Sequence, residues 1–215
     1  MGIWQDISVP LSPLLPAWPG DQPFCRERVS VIGVENAHAN VSLLTLGSHF
    51  GTHVDAPLHF IQGGTAVDAL DVQTLVGPAY VLDLSELERH IEAGDLQGRI
   101  PENVERLLVR TQNSQLYGDG VFHTDFIGFT VGAIEYILGC GVKLLGIDYY
   151  SIAPYRASTP VHRAFLDAPG AMALETINLG NIEQGWYDLV CLPLRIEGCD
   201  GAPARALLRR REGFV

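Results

Sequence analysis

Three histidines and one aspartate fall within a single short segment of the chain: His49, His53, Asp55 and His59. Neutral imidazole and carboxylate groups are common protein ligands of divalent ions such as zinc and manganese. Glycine and proline in the same segment interrupt regular secondary structure, so we predict a shaped loop that directs side chains inwards. Crowding titratable groups in such a loop is costly without a cation. The pattern therefore favours a metal site over a hydrogen-bonded structural loop.

The composition is that of a globular chain. Hydrophobic residues make up 47% of the 215 residues and charged residues 18%, which suits one domain over residues 1–215. The net charge of -11 argues against nucleic acid or an anionic membrane as partner, because both attract clustered Lys and Arg. The basic residues Arg205, Arg209, Arg210 and Arg211 are interpreted as a solvated strand face.

The cysteines and the hydropathy pattern bear on location. The 4 cysteines form no CxxC pair, so a cysteine-based zinc knuckle is not expected. No apolar run approaches the ~20 residues that span a bilayer. The N-terminal residues have neither the charged region nor the apolar region of a signal peptide. We therefore expect a cytoplasmic protein with reduced thiols.

Apolar and β-branched runs predict a fold rich in sheet. The predicted strands cover residues 79–84, 107–111, 142–147, 190–196 and 204–208, and residues 28–34 and 41–46 form a hairpin. Ser85 and Glu88 fit the capping box of a short helix. Thr130 is expected to cap a helix over residues 131–138. These elements indicate an α/β or α+β fold, and local signals leave the topology open.

A metal site on the histidine-rich segment needs further ligands, and the second half of the chain offers three candidates. Asp148 follows a predicted buried strand and would either orient a ligand histidine or cap a turn. Thr159 before Pro160 predicts an N-cap, which would place His162 in the first turn of a helix. Glu175 ends an apolar run and, taken alone, also fits an exposed strand residue.

Other short motifs accompany the histidine-rich segment along the chain. They are Asp6-Ile7-Ser8, Trp18-Pro19-Gly20-Asp21, Gly146-Ile147-Asp148, Leu192-Pro193-Leu194 and Asp200-Gly201. With the run from His49 to His59, which is the specific part, these motifs resemble the cyclase family of metal-dependent hydrolases. Bacterial kynurenine formamidases are its best-known members. The resemblance extends over nearly the whole chain.

The resemblance implies a fold, a reaction and partners. The fold would be α/β, a swivelling β/β/α-type single domain with a β-rich core. The reaction would be hydrolysis of a non-peptide C–N bond in a small aromatic amide, with N-formylkynurenine as the favoured substrate and a cyclic amide such as isatin as the alternative. His59 would be the acid/base catalyst, and Trp18 would line the substrate pocket. Family members are commonly homodimers or higher homo-oligomers.

The resemblance also implies a centre for two divalent metal ions, with zinc favoured and manganese as the alternative. His49 and His53 would bind the first ion. Asp55 and Glu175 would each bridge to the second ion, and His162 would complete its ligand set. The absence of thiolate from this set argues against a closed structural zinc site.

Two points stay open at this level. Phe50 and Thr52 could contact the substrate, and Phe24 together with Trp18 favours an aromatic one. A non-catalytic metal- or ligand-binding module, or a structural zinc protein, would also keep the ligands. His59 beside the ligands speaks against the binding module, which has no need of a proton shuttle. A structural zinc protein would hold one ion tightly and lose its fold on chelation.

Overall fold

The computed structural model of the chain describes residues 2–211. Its strands in this range are β1 (Trp4–Asp6), β2 (Cys25–Ser30), β3 (Val41–Thr45), β4 (His53–Asp55), β5 (Val76–Asp83), β6 (Arg106–Arg110), β7 (Leu144–Ile147), β8 (Met172–Glu175), β9 (Gly185–Pro193) and β10 (Gly201–Arg210). The α-helices are α1 (Val72–Leu75), α2 (Ala93–Leu96), α3 (Val131–Gly139) and α4 (Ser158–Leu166). Single 3₁₀ turns cover Pro57–His59, Val67–Ala69, Gln112–Leu116 and Tyr155–Ala157. Of the range 1–215 predicted as one domain, Met1 and residues 212–215 lie outside the described residues.

Seven strands close into a barrel. Their order is β10-β4-β8-β7-β6-β5-β9, and β9 pairs back onto β10. Strands β5 to β8 run parallel to their neighbours in the series β5-β6-β7-β8, whereas the other barrel pairs are antiparallel. Strand β1 adds to β10 outside the ring. This architecture confirms the α/β class with a β-rich core.

Alternation along the strands separates two hydrophobic cores. On β6, Leu107 and Val109 pack with residues of α3 and α4, whereas Leu108 packs with the residues that fill the barrel. On β8, Ala173 belongs to the helix-side core and Leu174 to the barrel core. Successive strand residues face opposite sides of a sheet, so this pattern defines which face each strand position occupies.

The predicted hairpin is confirmed, with shifted ends. It is formed by β2 and β3, which make a separate two-stranded sheet. The first strand ends at Ser30 rather than at residue 34, because Glu35 and Asn36 take left-handed backbone conformations and Val34 already lies in a turn. Every residue of β3 is exposed, including Leu43 and Leu44.

The prediction of a short helix capped by Ser85 and Glu88 is wrong. The Asp83 side chain accepts a hydrogen bond from the Ser85 N–H at 3.0 Å, and a turn forms instead. An aspartate that bonds the backbone two residues ahead competes with helix formation. A capping box occurs further along the chain, where Glu92 and Asp95 cap α2.

The two longer helices differ in how well local signals predicted them. For α3 the prediction is confirmed, since the Thr130 hydroxyl accepts a hydrogen bond from the Ala133 N–H at 3.3 Å. For α4 the predicted cap is wrong. The helix starts at Ser158 with Ala157 as its N-cap, so Pro160 is its third residue and His162 its fifth. None of the helices in residues 2–211 is long and apolar enough to cross a membrane.

Gly128 lies directly against the backbone of the segment before α4. A Cβ atom there would lie 2.5 Å from both Ala153 C and Pro154 N. We predict that Gly128→Ala lowers the free energy of unfolding by about 1–3 kcal/mol, because a backbone contact cannot move aside as a side chain can. The measurement is urea unfolding.

Gly132→Ala is the matched control, because a Cβ there meets nothing within 4 Å. It lies in α3 and is expected to raise the free energy of unfolding by about 0.5–1 kcal/mol. Equal effects of the two substitutions would contradict the close packing at Gly128.

Candidate metal centre

The antiparallel pairing of β4 with β8 brings two parts of the predicted site together. His53 lies directly opposite Glu175 in the register. Val54 packs in the barrel core, so its neighbours His53 and Asp55 lie on the other face of the sheet. Glu175 lies two residues after Ala173 on β8, so its side chain is on the same face of the sheet, the one covered by the helices. The alternative of an exposed strand glutamate is excluded, since Glu175 is only 3% exposed.

Helix α4 supplies a third side chain to this face. His162 Nδ1 lies 2.8 Å from the Ser158 carbonyl oxygen, one helical turn earlier. If Nδ1–H donates to that carbonyl, Nε2 keeps its lone pair, and it lies 3.1 Å from Glu175 Oε1. The same carboxylate oxygen accepts the Ile152 N–H at 2.6 Å. Both groups are therefore held by backbone contacts.

The backbone also orients His53. Its Nδ1 lies 2.7 Å from the Gly51 carbonyl oxygen, which fits a donated hydrogen bond and leaves the Nε2 lone pair available to a metal ion. This nitrogen is 3.1 Å from Asp55 Oδ1 and 3.5 Å from Glu175 Oε2. Gly51 takes a left-handed backbone conformation, with a φ of 70°. This conformation agrees with the shaped loop predicted from the glycine at this position.

His49 lies between two carboxylates. Its Nδ1 is 2.7 Å from Asp55 Oδ1, and its Nε2 is 2.7 Å from Asp200 Oδ2. The His49 and His59 rings stack with their centroids 3.8 Å apart, and His59 Nδ1 lies 3.4 Å from the same Asp200 oxygen. Asp200 thus contacts both histidines. In the sequence it was noted only as part of the Asp200-Gly201 motif, and no place in the site was predicted for it.

The charges of this cluster shift the pKa values of its members. Burial lowers the pKa of His49, but the charge of Asp55 and the hydrogen bond to Asp200 outweigh burial and raise it to about 10. Burial likewise lowers the pKa of His53, but hydrogen bonds that its imidazole donates to Asp55 and Glu175 outweigh burial and raise it to about 9. Burial would raise the pKa of Asp55, yet His49 and His53 hold it well below its usual range. The carboxylate and the imidazoles therefore favour one another's charged forms.

His162 and His59 differ in their electrostatic surroundings. Burial opposes the effect of Glu175, but the carboxylate prevails and raises the pKa of His162. Burial lowers the pKa of His59 and is its main perturbation, which favours a neutral ring. The two imidazoles therefore suit different tasks.

The donor set fits a divalent cation. Asp55 Oδ2 is buried and has no hydrogen-bond partner among the described residues, although His162 Nε2 lies 3.7 Å away. The Asp55 charge also opposes ionisation of the neighbouring Glu175, so the two buried carboxylates repel each other. A divalent ion would satisfy the unpartnered oxygen, reduce this repulsion and replace the protons on the imidazoles. The ligating atoms of His53, Asp55 and Glu175 all lie within 4.8 Å of one another.

A cavity of about 540 Å³ opens above the cluster. Its floor includes His49, His53, His59, His162 and Glu175. Its walls include Trp18, Phe60, Tyr150 and Tyr155. The structure therefore places the predicted pocket residue Trp18 over the predicted ligands, in a cavity large enough for an aromatic ligand.

Asp148 is not in the cluster. It accepts hydrogen bonds from the N–H and hydroxyl groups of Thr111 and Ser114, so of its two predicted roles the turn cap is confirmed and the partner of a ligand histidine is not.

Three further predicted substrate contacts, Phe24, Phe50 and Thr52, are not supported. Phe50 is buried and stacks on Phe24, with ring centroids 6.0 Å apart. Thr52 is buried and bonds backbone groups of Val9 and Thr176. The cavity lining contains none of Phe24, Phe50 and Thr52.

A family model described as "Putative cyclase" matches residues 5–154. The chain belongs to the cyclase family. This cyclase-family chain is 37% identical over 207 residues to a protein named kynurenine formamidase from Bacillus cytotoxicus, covering 96% of the chain and 97% of that relative.

Two solved structures share the fold of this cyclase-family chain. One is titled as a potential metal-dependent hydrolase with cyclase activity, with a TM-score of 0.83, 29% identity, and 99% and 100% of the two chains covered. The other is isatin hydrolase A from Ralstonia solanacearum, with a TM-score of 0.79, 27% identity, and 96% and 91% covered.

In this cyclase-family chain Asp200 is expected to orient His49 toward a bound ion. A carboxylate that accepts the second N–H of a ligand imidazole fixes the ring and raises its basicity. We predict that Asp200→Ala weakens zinc binding by about 10- to 100-fold, the usual effect of losing such a partner. The measurement is competition with a chromophoric chelator.

Asp167→Ala serves as the control, because Asp167 is an exposed residue just after α4 and does not line the cavity. Its zinc affinity should match that of the unmodified protein. An Asp200→Ala protein that binds zinc equally well would exclude the orienting role.

Proposed function

We propose that this chain is a metal-dependent amidohydrolase that cleaves the formamide C–N bond of N-formylkynurenine, giving kynurenine and formate. The single observation that carries this proposal is the cluster of the buried carboxylates Asp55 and Glu175 with the imidazoles of His49, His53 and His162 beneath an aromatic cavity. Kinship with proteins named kynurenine formamidase supports the choice of substrate. The family supports the use of a divalent ion.

We further propose two divalent ions, with zinc favoured and manganese as the alternative. His49 and His53 would hold the first ion. Asp55 and Glu175 would each contribute to both ions, and His162 would complete the ligand set of the second. Support comes from Asp55, which belongs to two compact groups of donors, one with His53 and Glu175 and one with His49 and His59. When bound, the ions would polarise the formyl carbonyl and lower the pKa of a water molecule.

His59 is proposed as the acid/base catalyst. It lines the cavity, and burial favours its neutral form, which a proton acceptor requires. Asp200 lies 3.4 Å from Nδ1 and would hold that nitrogen as the N–H donor, so Nε2 would accept a proton from water. As the C–N bond breaks, the same proton would pass to the leaving aniline nitrogen. The carbonyl carbon then leaves as formate.

The cavity walls would position the aromatic part of the substrate. Trp18 contacts Phe122 edge-on, with centroids 5.2 Å apart, and Tyr155 at 5.1 Å. Tyr150 donates a hydrogen bond to the Pro16 carbonyl oxygen at 2.6 Å and so ties down the segment that carries Trp18. A planar aniline ring would pack against such a wall.

We also propose that the protein is a cytoplasmic homodimer or higher homo-oligomer, with no nucleic acid or membrane as partner. The hairpin of β2 and β3 supports self-association, because Val29, Leu43 and Leu44 are each more than half exposed there.

The second candidate activity is hydrolysis of a cyclic amide of the isatin type. It is favoured by likeness to the structure of isatin hydrolase A. Ring opening of a cyclic amide would use the same ions and the same proton shuttle. The two activities therefore differ in what the cavity walls must bind.

Substrate assays with and without metal test the proposal. We expect the zinc-loaded protein to hydrolyse N-formylkynurenine with a higher kcat/KM than isatin, and chelation to abolish both activities. Product formation is followed by absorbance, and zinc is added back as the control for chelator damage. If isatin alone is consumed, cyclic-amide hydrolysis replaces formamidase activity as the proposed function. Activity that survives full metal removal would refute the metal dependence.

His59→Ala separates an enzyme from a non-catalytic binding module. We predict that turnover of N-formylkynurenine falls by ~10² to 10⁴ while bound metal is retained, because the shuttle is lost and the ligands remain. Metal content is measured by atomic absorption. His90→Ala is the control, since His90 is outside the cavity above the cluster and should keep full turnover. Unchanged turnover in His59→Ala would remove His59 from the mechanism.

A further inference from the structure

We propose that Asp21 and Arg156 form a subsite for the amino-acid headgroup of the substrate, and that this subsite selects zwitterionic α-amino acids over neutral aromatic amides. Both side chains line the cavity above the metal-ligand cluster. The inference rests on the proposed function, because it concerns the far end of the same substrate. Asp21 and Arg156 are charged residues of the cavity wall that have no part in cleavage of the C–N bond, and the subsite gives them a role.

Asp21 is held at the cavity by a tight turn. The Asp21 N–H donates to the Trp18 carbonyl oxygen at 2.9 Å, and Gly20 has a φ of 101°. Proline at the second position and a glycine with positive φ at the third position are typical of a type II turn. The turn places Trp18 and Asp21 side by side, so the aromatic wall and the carboxylate are presented together.

Arg156 comes from a different part of the chain. It lies in the 3₁₀ turn Tyr155–Ala157, just before α4. The contact between the rings of Tyr155 and Trp18 brings this turn against the N-terminal segment. Two elements that meet through their aromatic residues therefore carry one negative and one positive group into one cavity.

Both charges are available for a ligand. Within residues 2–211, neither Asp21 nor Arg156 forms a side-chain hydrogen bond or an ion pair. Other arginines of the fold, such as Arg89 and Arg99, are paired with carboxylates. An α-amino acid carries an ammonium and a carboxylate, which would pair with Asp21 and Arg156 respectively. Isatin carries neither charge and would gain nothing from them.

Product binding tests this subsite without depending on turnover. The probes are L-kynurenine and 2-aminoacetophenone, which share the ortho-acyl aniline and differ by the amino-acid headgroup. Binding to the zinc-loaded protein is measured by calorimetry. We expect L-kynurenine to bind more tightly, and Arg156→Gln and Asp21→Asn each to weaken it by about 10-fold, as for loss of one partly exposed charged hydrogen bond. The affinity for 2-aminoacetophenone should change much less.

The controls are Arg163→Gln and Asp167→Asn, which remove the same charges from exposed positions outside the cavity. They should leave the affinity for L-kynurenine unchanged. Equal affinities for the two probes, or equal losses for both in the Arg156 and Asp21 variants, would overturn the subsite.

A second measurement separates this inference from the proposed function. The KM and kcat for N-formylkynurenine are compared with those for 2-formamidoacetophenone, which lacks the headgroup. Loss of a headgroup contact should act mainly on KM, because the contact is equal in ground state and transition state. Hydrolysis of both substrates with equal KM would overturn the subsite and leave the formamidase activity standing. Tight binding of L-kynurenine by a protein that hydrolyses neither formamide would support the subsite and refute the formamidase activity.

Discussion

The pairing of β4 with β8 is the interaction on which the site depends. It fixes His53 opposite Glu175 and places Asp55 on the same face of the sheet. Two carboxylates that are at most 3% exposed then lie within reach of several imidazoles. Such an arrangement would be unfavourable with the carboxylates alone, because buried like charges repel. The surrounding barrel tolerates it because imidazoles, and by our proposal a divalent ion pair, balance the negative charge.

Residue patterns alone predicted the local part of this site, and the family resemblance added the distant His162 and Glu175. The contact of Asp200 with His49, which depends on topology, was missed. His49, His53, Asp55 and His59 are close in the chain, so their density alone indicated a metal site. Asp200 contacts His49 only because the start of β10 pairs with β4, with Gly201 opposite Asp55. A Cβ at position 201 would lie 2.6 Å from His49 Cε1, so glycine is needed there. Neither the aspartate nor its neighbour carries a local sign of this contact.

Secondary structure shows the same division. Thr130 capped α3 as predicted, since cap and helix are adjacent in sequence and the signal is local. The pattern of Ser85 and Glu88 was equally local, but no helix forms there, because the Asp83 side chain at the end of β5 accepts a hydrogen bond from the Ser85 N–H. Strand β9 starts before its predicted run and ends at Pro193, short of residue 196, whereas β10 extends beyond its predicted run at both ends. Pairing around the ring recruits polar residues such as Asp188 and Arg209. Long-range hydrogen bonds therefore override the local pattern at the ends of elements.

Closure of the ring has a consequence for self-assembly. Strands joined into a cylinder leave no lateral backbone donors or acceptors free for another chain. In the described part of the molecule, unpaired sheet edges remain on β1, outside the ring, and on the two sides of the β2–β3 ribbon. A neighbouring molecule that extends a sheet by strand addition would have to attach at one of these places. Such oligomers could therefore form and dissociate without breaking a single hydrogen bond of the cylinder that supports the chemistry.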